Sequence, residues 1–201
     1  YAQLLEEQDL PPESREYASA LEHQAEKLRF LIAALVKTSR LESGVLAMTP
    51  KRHGIQQLLD AASAQAAPGA EAKAITLTVE PTDLTARFDP KWTAEALYNL
   101  VDNAVKYTPA GGAVTLRAVG YELFCRVDVT DTGPGIPESE QARIFQRFYR
   151  SPSASEAEGV GIGLYLARQI AAGQGGYLKV SSRPGEGSTF SLFLPRADER
   201  T

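Results

Sequence analysis

The hydrophobic period changes once along the chain, near residue 48, and that change limits the folds open to it. Before it, Leu21, Ala25, Leu28, Ile32 and Leu35 recur at steps of four, three, four and three, the heptad seam of a helix packed along other helices. Leu31 and Val36 widen the seam toward the stripe of a helical bundle. After it, short alternating runs such as Ile75–Val79 trade places with helical ones, which calls for a sheet with helices on it. No purely helical and no purely β fold satisfies both halves.

Ser14 can cap the seam helix and Ser43-Gly44 can stop it, placing it at about residues 14–45. Tyr1–Glu7 reads as the tail of a preceding helix, broken at Asp9-Leu10-Pro11-Pro12, because proline removes a backbone donor and restricts the residue before it. A hairpin with one apolar stripe cannot bury that stripe alone. Half of an antiparallel four-helix bundle, hence a homodimer, is one reading; one long helix packed on its own domain is the other.

Further on, Ile55–Ala67 is helical with a stop at Pro68-Gly69, and Ile75–Val79 and Leu84–Phe88 are strands. Trp92–Lys106 is a helix, and Ala113–Val119 and Tyr121–Val129 form a hairpin turning near Gly120. A helix over Glu138–Phe148, a polar loop over Ser151–Glu158 and a helix over Gly161–Ala172 follow. Tyr177–Ser182 and Thr189–Leu194 make a last strand pair. The expected architecture is an α/β sandwich, one mixed sheet with helices on one face.

Composition narrows the function classes. Twenty-one Lys and Arg against 25 Asp and Glu give a net charge of −4 over 201 residues, which argues against a bulk nucleic-acid binder. Hydrophobic residues at 43% exclude global disorder. The lone Cys125 forms no internal disulfide and no thiolate metal cluster, which suits a reducing cytoplasm. The apolar run that includes Leu31–Val36 is far short of the roughly 20 residues of a membrane helix.

Four segments carry chemistry. Glu95, Asn99 and Asn103 are four residues apart and Lys106 is three further on, so they share one helix face. Leu97, Leu100, Val101, Ala104 and Val105 are left for the sheet. Asparagines are poor helix formers, but their amide oxygens are hard ligands suited to Mg²⁺, and Lys106 offers a compact charge to phosphate. Asp131-Thr132-Gly133-Pro134-Gly135-Ile136-Pro137 follows a strand and makes a turn of fixed shape, with an aspartate able to accept from an exocyclic amine. Gly159-Val160-Gly161-Ile162-Gly163-Leu164 is neither a Rossmann fingerprint nor a P-loop, yet it opens a helix whose free N–H groups suit phosphate. In Gly185-Glu186-Gly187-Ser188-Thr189-Phe190, Thr189 can offer a hydroxyl near whatever Asp131 binds. Taken singly, each segment also reads as an ordinary turn or surface stripe.

Together and in order, these segments resemble the sensor histidine kinases of bacterial two-component systems. Asn99–Tyr107 is similar to the N box and Asp131–Gly135 to the G1 box. Ile144–Arg150 is similar to the F box, Gly159–Leu164 to the G2 box and Gly185–Phe190 to the glycine box after it. The resemblance implies the α+β ATP-binding sandwich shared with gyrase, mismatch-repair and heat-shock chaperone ATPases. It divides the chain into a dimerisation and histidine-phosphotransfer segment, 1–48, and a catalytic ATP-binding domain, 49–201. ATP and Mg²⁺ would be the ligands, Asn103 holding the metal with Asn99 assisting. Lys106 and Tyr107 would meet the phosphates. Asp131 would take the adenine amine, with Gly133, Gly135 and Ile136 shaping its turn and Thr189 beside it. Gly159, Gly161, Gly163 and Leu164 would line the triphosphate. Phe145 and Phe148 would anchor a lid, from which Arg147 or Arg150 could touch phosphate.

The hydrolytic relatives carry a general-base glutamate four residues before the metal-binding asparagine. Asn99 stands there and cannot take a proton from water, so the resemblance implies phosphoryl transfer to a histidine for relay to a response regulator. The family's acceptor lies in a His-Glu/Asp-x-x-Thr/Asn-Pro pattern. Only His23 and His53 occur, in Glu22-His23-Gln24 and Arg52-His53-Gly54, and neither fits it. The expectation is a fragment cut after its acceptor, unable to phosphorylate itself, from a parent anchored in the membrane upstream with this region on the cytoplasmic side.

Overall fold

The structure, a computed structural model, describes residues 12–42, 48–151 and 160–197. The expected helix tail at Tyr1–Glu7, the stop at Ser43-Gly44, Gly159 and nearly all of the polar loop over Ser151–Glu158 lie outside the described residues. Contacts divide the chain into two units, Tyr1–Ser43 and Gly44–Thr201.

In the first unit, α1 (Pro12–Glu42) is one helix. Leu21, Leu28, Ile32, Leu35 and Val36 are all exposed on it.

The second unit holds β1 (Lys51–Gly54), α2 (Ile55–Ala72), β2 (Thr76–Val79), β3 (Thr85–Phe88) and α3 (Pro90–Tyr107). It continues with β4 (Ala113–Gly120), β5 (Phe124–Asp131), the short α4 (Glu138–Gln141) and a 3₁₀ turn at Arg143–Phe145. Then come α5 (Gly163–Gly173), β6 (Tyr177–Arg183) and β7 (Gly187–Pro195). Five strands form a mixed sheet in the order β2-β4-β5-β7-β6, with β2 and β4 parallel and the other pairs antiparallel. A second, two-stranded sheet pairs β1 with β3.

Alternation sorts the large sheet into two faces. One presents Val114, Leu116, Val127, Val129, Phe190, Leu192 and Leu194, all buried. Against it pack the apolar faces of α2 (Leu58, Leu59, Ala62), α3 (Leu97, Leu100, Val101, Ala104) and α5 (Leu166, Ala167, Ile170), buried likewise. Leu100 is wholly buried, so Leu100→Ala costs about 2–5 kcal/mol. The opposite face carries Phe124, Tyr177 and Phe193, the last two stacked at 4.2 Å. Beside them Asp128 is bridged to Arg126 at 2.9 Å and Arg117 at 3.3 Å. This is the expected α+β sandwich with helices on one face.

Three local expectations are corrected. The helix over residues 55–67 does not stop at Pro68; α2 carries Pro68 inside it and runs to Ala72. Burial of Ala66 and Ala70 on the same face offsets the one backbone bond that proline forfeits. The single helix over Glu138–Phe148 is replaced by α4 and the 3₁₀ turn, because Phe145 must turn inward, edge-on to Phe190 at 6.5 Å. The residues before α2 are a strand, β1, held by pairing with β3, 31 or more residues away in sequence.

Candidate functional site

Helix α3 positions the first group of residues. Asp89 caps it, its Oδ1 accepting from the amides of Lys91 (3.1 Å) and Trp92 (3.3 Å), and Pro90 occupies the first turn, where no donor is missed. At the other end the Thr108 hydroxyl donates to Ala104 O at 2.7 Å. Lys73 Nζ donates to the carbonyls of Val105 (2.9 Å) and Lys106 (2.8 Å), a cation on the negative helix end. The helix start and end are therefore fixed, and with them the stripe of Asn99, Asn103 and Lys106.

Asn99 Nδ2 donates to Glu95 O at 3.0 Å, which turns Oδ1 away from the helix. A Cβ at Gly163 would stand 3.0 Å from that oxygen. The first residue of α5 thus approaches Asn99 as closely as a glycine permits, and the α3 stripe meets the amide-rich start of α5. Asn103 is half-buried, with no hydrogen-bond partner among the described residues. Lys106 Nζ lies 5.9 Å from the Tyr107 ring centroid. Burial raises the Tyr107 phenol, and the charge of Arg150 opposes that shift. Arg147 goes elsewhere, donating to Tyr165 Oη at 2.9 Å and lying over its ring.

The turn after β5 supplies the second group. Asp131 is 6% exposed. Its Oδ1 accepts from Gly133 N at 2.8 Å and Ser188 N at 3.2 Å, and neither amide uses Oδ2. Burial raises this carboxyl above the ordinary aspartate value, against the pull of the two amides. Gly133 sits between Asp131 Oδ1 and the Tyr107 carbonyl, at 2.7 and 3.3 Å from where its Cβ would be, so the turn touches the end of α3. Gly135, at φ +73°, would drive a Cβ into the Arg183 carbonyl. Pro134 O accepts from Gly185 N at 2.7 Å and Ile136 N donates to Ser182 Oγ at 2.8 Å. Leu164 is half-buried at the start of α5. Gly161, at φ +74°, leaves space that a Cβ would lose to Tyr149 O, and Phe148 N donates to Gly161 O at 2.9 Å.

Two expected placements differ. Asp131 pairs across the strands with Ser188, whereas Thr189 pairs with Thr130, and the two threonine hydroxyls meet at 3.0 Å. Thr189 therefore lies on the opposite face from Asp131, and Ser188 is the residue beside it. The pattern contained that signal: Phe190, Leu192 and Leu194 alternate inward, which puts Ser188 in step with them. Phe148 is 49% exposed where Phe145 is buried, so only Phe145 anchors its segment in the core. Ser182, Gln141 and Lys73 were missed altogether, because each acts through a contact distant in sequence. Of the two histidines, His53 sits in β1 with its ring 5.3 Å from Phe88, and His23 is exposed on α1.

An acceptor carboxylate in a rigid turn, two amide oxygens, a cation and a glycine-opened helix start suit one ligand class, a purine nucleotide with its metal-bound phosphates. Residues 88–198 match the family described as Histidine kinase-, DNA gyrase B-, and HSP90-like ATPase. The chain belongs to that family. Sensor protein DivL of Caulobacter vibrioides is 34% identical over 202 residues, 99% of this chain and 26% of DivL. Adaptive-response sensory kinase SasA of Synechococcus sp. (strain JA-3-3Ab) is 35% identical over 175 residues, 86% of this chain and 46% of SasA. The chain thus spans from 26% to 46% of these relatives' length. Among solved structures, full-length ShkA in complex with AMPPNP superposes with TM-score 0.81 at 29% identity, covering 100% of this chain and 42% of ShkA. Mycobacterial sensor histidine kinase MprB gives 0.64 at 26% identity, over 74% of this chain and 98% of that one. In this histidine kinase-type ATPase domain, the α3 stripe, Asp131 and its turn, and the start of α5 all fall inside the matched span, while Lys73 precedes it.

Proposed function

We propose that the chain is the ATP-binding catalytic region of a sensor histidine kinase, presenting the γ-phosphoryl group of ATP to a histidine on a dimerisation helix for relay to a response regulator. The contact between Asn99 and Gly163 carries this reading, since it joins the amide stripe of α3 to the phosphate-suited start of α5. Mg²⁺ would neutralise charge on the phosphates. The donor set fits it: Asn103 has a half-buried side-chain amide with no partner among the described residues, and Asn99 has an oxygen released by its own bond to Glu95 O. Both are hard oxygen ligands. Asp131 accepts the adenine amine through Oδ2. Lys106 and Arg150 balance phosphate charge near Tyr107, and Gly161, Gly163 and Leu164 line the triphosphate.

Catalysis here is positioning and electrostatics. Asn99 offers an amide, which cannot deprotonate water; this favours transfer over hydrolysis. The exposed apolar residues Leu21, Leu28, Ile32, Leu35 and Val36 of α1 suit a second copy of the same helix, making a homodimer through a helical bundle. The parent protein is membrane-tethered, with this region on the cytoplasmic side.

Calorimetric titration with ATP tests the binding. Micromolar affinity that depends on Mg²⁺ is expected, and Asn103→Ala abolishes the dependence. Absence of binding in the parent chain refutes the reading. For transfer, the chain is mixed with a separate helix hairpin bearing a histidine acceptor; acid-labile phosphate on the hairpin is expected, and bound ATP without labelling would point to a nucleotide-sensing module instead.

A further inference from the structure

The hydroxyl of Ser182 stands at the junction of three segments: the turn after β5, the end of β6 and the start of β7. It accepts from Ile136 N at 2.8 Å, contacts Gly187 O at 2.8 Å and contacts Ser188 Oγ at 3.0 Å. A hydroxyl has one proton. The Gly187 carbonyl can only accept, so the Ser182 proton goes there. The Ser188 hydroxyl must then donate its own proton to Ser182. Ser188 is left with acceptor capacity alone, on the same sheet face as Asp131, its cross-strand partner. Gln141 holds the junction from behind, Nε2 donating to Ile136 O at 3.0 Å and Ser182 O at 2.9 Å.

We propose that Ser182 is a positioning residue for base selection: by fixing the proton of Ser188 it makes the base end of the site accept hydrogen bonds only, so that a purine with a 6-amino group is taken and one with a 6-oxo group refused. This rests on the nucleotide reading above and adds to it the residue that orders the hydroxyls. The ionised Asp131 has no proton to give, and Ser188 has none to spare. A 6-amino group brings two N–H donors to these acceptors, directly or through water. A 6-oxo group brings a third acceptor, and the buried oxygens facing it go unpaired. In Ser182→Ala the Ser188 hydroxyl loses its acceptor and turns, becoming able to donate to a 6-oxo group.

The test compares ATP with inosine triphosphate, which carries a 6-oxo group in place of the 6-amino group and a proton on N1, by equilibrium binding to the whole chain with Mg²⁺. The parent chain is expected to prefer ATP by about tenfold or more. Ser182→Ala is expected to cut that ratio about fivefold, with inosine triphosphate losing less affinity than ATP, and Ser182→Thr, which keeps the hydroxyl, to restore it. Ser188→Ala removes the ordered acceptor without touching the bonds from Ser182 to Ile136 and Gly187, and is expected to cut the ratio likewise; it decides the matter should Ser182→Ala fail to fold. Equal weakening of both nucleotides in Ser182→Ala, or an unchanged ratio in Ser188→Ala, overturns the proposal. Equal binding of both nucleotides by the parent chain overturns it while leaving the nucleotide site standing. Binding of neither overturns the nucleotide reading itself.

Discussion

Two glycines of the turn between β6 and β7 share a backbone conformation and differ in what surrounds them. Gly185 has φ +82° with nothing within 4 Å of a Cβ, whereas Gly187 has φ +87° with a Cβ placed 3.0 Å from the Asp131 carbonyl carbon and 3.2 Å from Thr132 Cα. The Asp131 carbonyl oxygen is closer still. In both variants alanine meets the left-handed penalty of about 1–2 kcal/mol, relieved by roughly 0.4–1 kcal/mol through the stiffer unfolded chain. Gly185→Ala should therefore cost about 1 kcal/mol. Gly187→Ala must also push β7 away from Asp131, since carbon contacts relax only near about 3.5–4.0 Å. That movement sacrifices the Ser188 amide bond to Asp131 Oδ1 and a neighbouring ladder bond, about 1 kcal/mol each, for a total of about 3 kcal/mol. At about 2–4 °C per kcal/mol for a domain of this size, calorimetry should show a Tm loss of roughly 3 °C against roughly 9 °C. Nucleotide affinity should change less than about twofold in Gly185→Ala and fall about tenfold or more in Gly187→Ala, as Asp131 loses one of its two amides. If the two variants lie within about 0.5 kcal/mol of each other, close approach at Gly187 does not hold Asp131 and the reasoning fails.

Other outcomes follow from single contacts. Gly163→Ala adds helix propensity of up to about 1 kcal/mol but presses on Asn99 Oδ1, whose amide is tied to Glu95 O; chemical unfolding should show little net change, while Mg²⁺ titration shows ATP affinity several-fold weaker. Full retention of the Mg²⁺-dependent affinity would count against Asn99 as a ligand. Lys73→Met removes a cation from the carbonyls of Val105 and Lys106 and should cost about 1.5–3 kcal/mol in urea unfolding; a loss under about 0.5 kcal/mol would show that the helix end needs no such partner. Burial raises the folded-state pKa of Asp131 above the ordinary 3.8. The folded chain therefore binds the proton more tightly than the unfolded one. Asp131 contributes stability below 3.8 that is lost as pH rises through the raised value. On the proposed reading ATP needs the ionised form, so affinity should decline on acidification starting above the usual aspartate range. Asp131→Asn should lack both trends, and the same ATP–pH profile in both chains would dismiss the carboxylate as the base contact.

Features set by local periodicity were legible in the sequence. The polar stripe of α3 declares itself because Asn99, Asn103 and Lys106 interrupt an apolar helix at its own repeat, and the strands declare themselves by alternation. Features set by partners far along the chain were not. Nothing near Lys51–Gly54 says that β3 will pair with it, and nothing near Pro68 says that buried Ala66 and Ala70 will carry the helix past it. The hydroxyl of Thr189 makes it a candidate neighbour of Asp131, but the pleat decides which of two adjacent hydroxyls shares a face with Asp131, and it is that of Ser188.

The base end of the site is held by steric fit more than by side-chain attraction. Gly135 against the Arg183 carbonyl and Gly187 against the Asp131 carbonyl leave no room for a Cβ, so the turn after β5 and the turn before β7 interlock backbone to backbone. Backbone contacts do not depend on rotamers, which gives Asp131 a fixed position before any ligand arrives, and fixed acceptors discriminate best because they cannot move to rescue a wrong base. The end proposed to hold phosphate carries long or amide side chains on α3, which can adjust. On the proposed reading, the turn glycines fix Asp131 in place and the hydroxyls of Ser182 and Ser188 act on that fixed frame, so the glycine pattern visible in the sequence records the fit of backbone to backbone.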